Sequence, residues 1–298
     1  MKPRRFGRRV REAALGYLLI LPAIGAFGLF VFYPLVKTAY LGFFLAPPTP
    51  NLPSHYVGFS QYGNVLGSAQ FADDVGRTAL FVALTVPLGI ILGLGLANLA
   101  HTRVWGIRLF RTIFSSTVAT SSAVAGVIFF TLLNPQIGLL SYAFGKVGGN
   151  GILASPHWAL PAVALVTVWL NLGFTFILMS AALQSLPEEV LEASKVDGAS
   201  SWVRFRSITL PLLSPILFFA VVVGIISGFQ AFGQIDLLTQ GGPNHASLVL
   251  IYDLYQQAFQ FNNPGNAAVL SIALFGILLI LTFVQFWFFQ RRVSYASD

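Results

Sequence analysis

Charge is what this sequence has least of. Asp, Glu, Lys and Arg make up 9% of its 298 residues, against about 25% in a soluble domain. With 56% hydrophobic residues and a mean hydropathy of +0.76, the side chains that solvate a globular surface are missing. Length alone allows one or two soluble domains, but composition makes lipid the solvent for most of the chain. Cysteine is absent altogether, which excludes disulfides, thiolate nucleophiles and Cys-ligated zinc and leaves the redox compartment open.

A bilayer core about 30 Å thick needs roughly 20 apolar residues per helix. Six charge-free runs meet that length: residues 13–36, 78–100, 112–133, 158–183, 210–232 and 267–289. The first follows a basic start, "MKPRRFGRRVRE", but its apolar run exceeds the 7–15 residues of a signal core and no A-x-A site follows, so it reads as a retained span. The expectation is an all-α membrane protein of six helices in a single domain over residues 1–298. The segments at 45–77, 134–157 and 233–266 carry the Pro, Gly and Asn of turn-forming connectors. No internal repeat, low-complexity tract or linker stands out.

The spans contain no Asp, Glu, Lys, Arg or His. Proton-driven carriers use such groups as relays, so a proton-coupled carrier is disfavoured. Sodium coupling through carbonyls and hydroxyls is disfavoured less. His55, His101, His157 and His245 are isolated and lack metal-ligand spacing, so no metal site is expected. No G-x-S-x-G elbow and no useful carboxylate pair occurs, which leaves no enzyme chemistry. No phosphate loop occurs either: "GLLSYAFGKV" has the wrong spacing and lacks the following hydroxyl. If ATP drives this chain, another chain binds it.

The basic pI of 9.9 raises nucleic acid as a partner until the charges are placed. Fourteen of the 17 lysines and arginines fall on one side: Lys2, Arg4, Arg5, Arg8, Arg9, Arg11, Arg103, Arg108, Arg111, Lys195, Arg204, Arg206, Arg291 and Arg292. Lys37, Arg77 and Lys146 fall on the other. The positive-inside rule then puts both termini in the cytoplasm. The charge is a topology signal, and no nucleic-acid partner is implied.

One stretch runs against the composition. Residues 186–211, "LPEEVLEASKVDGASSWVRFRSITLP", hold seven acidic or basic side chains between two apolar spans. Ser185 and Glu188 have the spacing of a capping box, and Pro187 suits a first helical turn. Glu188, Glu189 and Glu192 lie toward the positive end of a helix dipole and Lys195 toward the negative end. Gly198 supplies a left-handed stop. A cytoplasmic helix of about 11 residues is predicted, followed by a segment with Trp202, Phe205 and Ile208. A solvated loop helix and a helix seated in a partner's groove both fit these features.

"EASKVDGA" followed by "FRSITLP" resembles the cytoplasmic EAA signature of ABC-importer permeases, with Glu192, Ala193, Asp197, Gly198, Ala199, Ile208, Leu210 and Pro211 matching and Ser194 standing where the family has a second Ala. "LTQGGPNHASLVLIYDLYQQAF", "NPQIGLL", "ALQSLP" and "VQFWFFQRRV" are similar to the carbohydrate and glycerol-phosphate uptake branch. The resemblance covers nearly the whole chain and implies a type I ABC importer permease in a bacterial inner membrane. It implies a coupling helix within residues 185–211, with Glu188, Glu189, Glu192, Ala193, Ser194, Asp197, Gly198 and Ala199 at the contact with a cytoplasmic ATPase. The implied partners are two ATPase subunits that bind ATP and Mg, a second permease chain in a heterodimer, and an extracytoplasmic solute-binding protein. No cofactor is expected in this chain. Within the branch it looks most like permeases for glycerol-3-phosphate or glycerophosphodiesters, with an oligosaccharide importer as the alternative and a stand-alone channel or sodium-coupled carrier as the reading from another class.

Candidate solute-path residues are Asn171 beside Trp169, Gln230 beside Phe229, and Gln234 with Asp236. Aromatic faces with amide hydrogen bonds suit a polyol or sugar; equally, Asn171 and Gln230 tie helices together. Ser115–Ser122 ("SSTVATSS") either lines the cavity or allows close packing. Gly241, Gly242 and Pro243 either shape an external turn or also meet the binding protein. No cation within the spans is available to a phosphate.

Overall fold

The computed structural model describes residues 4–45, 54–101, 106–144 and 151–289. Lys2, Arg103, Lys146, Arg291 and Arg292 of the charge count lie outside the described residues. The chain forms two compact units, one drawn from residues up to Gly67 with Gln257–Ile272 and one from Ser68–Gln256 with Ala273 onward.

In the first unit, the helix Gly16–Leu41 is long and apolar enough to cross a membrane, and no residue of its most apolar window is buried. It includes a π-helical turn at Gly28–Phe32 and runs past residue 36, because Lys37 is followed by a further apolar turn. Two-residue strands Phe44–Leu45 and His55–Tyr56 pair antiparallel. The short helix Ser60–Leu66 sets Tyr62 to donate to Ala39 O at 2.9 Å, and the amide of buried Gln61 donates to Asn266 Oδ1 at 3.2 Å.

In the second unit, the fourth span helix Ala159–Gln184 is the most enclosed, with 61% of its most apolar window buried against 33% for the second span helix Ala69–Ala100. Lipid offers helices no hydrophobic drive to associate, so close approach through small residues does the packing. A Cβ on Gly93 of the second helix would lie 2.5 Å from Thr175 Cγ2 of the fourth, and one on Gly228 would lie 2.8 Å from Val82 Cγ2. One apolar cluster gathers Phe81, Val163, Ile235 and Tyr252; another gathers Leu94, Phe176, Met179 and Leu213.

The second, third and fifth spans also depart from the runs read in the sequence. The second helix begins at Ala69, not at residue 78. Ser68 caps it by accepting from Phe71 N at 3.1 Å, and its charges are absorbed locally: Arg77 pairs with Asp73 at 3.4 Å and Asp74 at 2.9 Å. The third span is a pair of helices, Ile107–Ala119 and Ser122–Leu132, bent by 106°. Ser121 breaks it in extended conformation and caps the second piece by accepting from Val124 N at 3.2 Å. The "SSTVATSS" run is therefore a helix break, and its hydroxyls at Ser116 and Thr117 bond carbonyls one turn back. The fifth span is likewise a pair, Ser201–Leu212 and Ser214–Phe229, bent by 67°. Pro211 and Pro215 flank its joint at Leu213 and bring no N–H to a continuous ladder. The sixth span helix, Pro264–Phe289, is unbroken.

Candidate functional site

Ser185, just past the fourth span, donates its hydroxyl back to Ala182 O at 2.8 Å. It closes that helix and does not cap the next, so the capping box predicted from Ser185 and Glu188 does not form. Pro187 (φ −62°, ψ 117°) takes the N-cap position without a side-chain bond. The loop helix is Glu188–Val196, 9 residues, shorter than expected because the chain turns at Pro187. Glu188 and Glu189 occupy its first turn and Lys195 its last, as the helix dipole favours.

Its end is built around Gly198, whose φ is +76°. Gly198 N donates to Lys195 O and Ala199 N to Ser194 O, each at 3.1 Å, which is the paired bonding of a Schellman stop. Nothing lies within 4 Å of a Cβ at Gly198, so the glycine serves backbone conformation and not space. Ser200 then caps Ser201–Leu212 by accepting from Val203 N at 3.4 Å.

Glu188, Glu189, Glu192, Ala193, Asp197 and Gly198 are exposed and Ala199 is half-buried. Ser194 is different. It is 5% exposed and donates to Leu191 O at 2.7 Å, so the one departure from the EAA pattern packs against its own chain. A small residue is needed there, and a hydroxyl satisfied one turn back is nearly equivalent to a methyl.

The paired solute-path residues separate. Residues two apart on a helix face different ways. Asn171 lines a cavity of about 50 Å³ with Thr85, Thr167 and Thr175. Trp169 instead stands edge-on to Phe129, ring centres 5.0 Å apart, beside a wholly apolar cavity of about 370 Å³. Phe229 is buried while Gln230, its neighbour, is exposed at the helix end. The three threonines donate to carbonyls of their own helices (Phe81, Val163 and Asn171) at 2.8–3.1 Å. Their remaining lone pairs and the Asn171 amide give this cavity acceptors and donors together.

Gln234 and Asp236 sit on the short helix Gly233–Leu238. Tyr252 donates to Asp236 Oδ1 at 3.1 Å and packs with Phe232 and Tyr255. In the Gly-Gly-Pro segment Gly241 is buried, with φ +80°. The fully buried Ser247 donates to Gly242 O at 2.6 Å and stands 2.8 Å from Thr239 Oγ1. The exposed tip is Asn244–His245, which sequence reasoning passed over as loop residues.

Sequence reasoning also missed Asp74. It is 0% exposed, accepts from Gln70 and Arg77 at 2.9 Å each, and faces the buried Asp253. Next to it, Thr78 donates to Asp74 O at 2.6 Å and accepts from Leu250 N at 2.9 Å. This joins the second span to the helix Leu250–Tyr255. The available signal was the i,i+3 and i,i+4 spacing of Asp74, Asp73 and Arg77.

Bent third and fifth spans, with a charged loop helix between the fourth and the fifth, make this a polytopic membrane protein, and comparison with known proteins gives its class. Residues 85–294 match the family described as binding-protein-dependent transport system inner membrane component; the chain belongs to it. It is 33% identical over 283 residues to the sn-glycerol-3-phosphate transport system permease protein UgpA of Yersinia pestis bv. Antiqua (strain Antiqua), covering 94% of this chain and 96% of that protein. The Agrobacterium fabrum UgpA is 34% identical over 286 residues, with the same shares covered. Among solved structures, a bacterial ABC transporter that imports the acidic polysaccharide alginate shares the fold, with a TM-score of 0.80, 22% identity, and 97% of this chain and 100% of that one covered. This chain has the type I ABC importer permease fold. It is a multi-pass bacterial inner-membrane transport subunit of an ATP-driven importer and not an enzyme; ATP hydrolysis belongs to a separate chain.

Proposed function

We propose that this chain is one half of a heterodimeric pore importing a glycerol-phosphate or related polyol solute by alternating access, driven through its loop helix. The observation that carries the reading is the exposed acidic helix Glu188–Val196 with its Schellman stop, joined by four residues to the bent fifth span. Glu188, Glu189, Glu192, Ala193, Asp197, Gly198 and Ala199 meet one of two cytoplasmic ATPase subunits, and Ser194 supports them from behind. ATP and Mg are held by those subunits, and their closure pulls the loop and reverses the cavity's access. Both termini are cytoplasmic, and an extracytoplasmic binding protein delivers solute at the Gly241–Pro243 side, where Asn244 and His245 are exposed.

The favoured solute follows the relatives' names. The cavity of Asn171, Thr85, Thr167 and Thr175 suits its hydroxyls, and the partner chain or loops supply the cation for a phosphate. An oligosaccharide is the competing solute. Glu192→Lys reverses the charge at the docking face and abolishes uptake while the chain still inserts in the membrane. Full uptake by that variant refutes the docking assignment. The ligand retained by the cognate binding protein decides between the two solutes.

A further inference from the structure

A cavity of about 380 Å³ opens beside the loop helix, between that helix, the end of the second span and the Ser201–Leu212 arm. Asn98, His101, Lys195, Ser201 and Arg204 line it over a floor of leucines and Phe205, and no carboxylate lines it. Among the described residues the ion pairs within 4 Å belong to Arg77, so neither Lys195 nor Arg204 is neutralised by a neighbouring acid. Arg204 is held in place by neutral acceptors, Nη1 on Ala199 O at 2.8 Å and Nη2 on Ser201 Oγ at 3.2 Å. Its guanidinium is thus a half-buried, preorganised fork with full charge. Glu192, one turn before Lys195, is exposed and does not line the cavity.

Two cations, an imidazole, an amide and a hydroxyl around a half-open volume make a donor-rich site with no acidic partner in its lining. Charge-assisted donors of this kind suit tetrahedral oxyanions, and the apolar floor suits the chain of a lipid. We propose that this cavity binds a phosphoryl anion, either the headgroup of an anionic phospholipid or free phosphate, and that the anion braces the loop helix against the Ser201–Leu212 arm. The inference stands apart from the docking assignment, since none of the residues lining the cavity is among the proposed docking residues.

The test uses the full chain in neutral detergent, titrated separately with short-chain phosphatidylglycerol, phosphatidylcholine of the same chain length, and inorganic phosphate. The thermal unfolding midpoint and bound mass by native mass spectrometry are read together. Phosphatidylglycerol or phosphate raises the midpoint saturably, and phosphatidylcholine does so more weakly than phosphatidylglycerol. Lys195→Gln weakens the apparent affinity by about tenfold, the loss of one charge-assisted contact, and Lys195→Arg restores it. The unliganded midpoint of Lys195→Gln stays at the wild-type value, which separates lost binding from misfolding. A shift with phosphatidylglycerol alone assigns the site to lipid; an equal shift with phosphate assigns it to the free anion. No saturable shift with either, or unchanged affinity in Lys195→Gln, overturns the proposal.

Discussion

Replacing Gly173 by Ala tests whether helix contact distance, and not apolar burial, holds this bundle together. Gly173 lies where the fourth span crosses the broken third. An added Cβ meets Thr117 Oγ1 and lies 2.8 Å from Val118 N and 2.9 Å from Phe114 O. The hydroxyl can rotate away, but the two backbone atoms cannot. Restoring an ordinary contact of 3.4 Å requires the helices to part by about 0.6 Å. Overpacking of this kind costs roughly 1–3 kcal/mol, against about 1 kcal/mol gained from replacing a mid-helix glycine. Gly95→Ala is the control, because nothing lies within 4 Å of a Cβ there and the propensity gain is the same. The two variants therefore differ by about 1–3 kcal/mol, with Gly173→Ala the less stable. Thermal unfolding in detergent measures it, with membrane abundance recorded for both. A Gly173→Ala chain that unfolds at or above the midpoint of Gly95→Ala refutes the close-approach argument.

At Gly198, Ala forces a left-handed residue at a cost of about 1–2 kcal/mol, so solute-stimulated ATPase of the assembled importer falls roughly fivefold or more, while Asn, which tolerates that conformation, retains more; equal activities would sink the reading. Thr78→Val keeps the shape but orphans the buried Leu250 N–H, costing about 1–3 kcal/mol. Amide exchange at Leu250 speeds accordingly, whereas Thr85→Val, which loses only bonds within its own helix, leaves it unchanged.

The apolar runs were legible because twenty uncharged residues have few other uses, and the EAA-like loop was legible because its residues carry their own pattern. The failures share one cause: composition does not report direction. A run that bends by 106° at Ser121 reads the same as a straight one, and Pro211 and Pro215 mark a joint only when both flank one residue. Asp73, Asp74 and Arg77 read as a loop because charge was taken as the end of a span, yet paired within two turns they extend it. Ser185 had the right spacing for a cap, but the carbonyl one turn back was the nearer partner. Asn171 and Trp169 are neighbours in sequence and occupants of different cavities in space.

The joint at Leu213 gives the fifth span a mechanical ratio. Ser201–Leu212 is a 12-residue arm, about 18 Å long at helical rise, ending on a side chain that is 1% exposed and clamped in the bundle. A displacement of 1 Å at the arm's outer end then corresponds to about 3° of rotation at the fulcrum. On the proposed docking of the loop helix, small strokes at the arm's outer end become angular motion at Leu213, and angle would decide which mouth of a cavity is open.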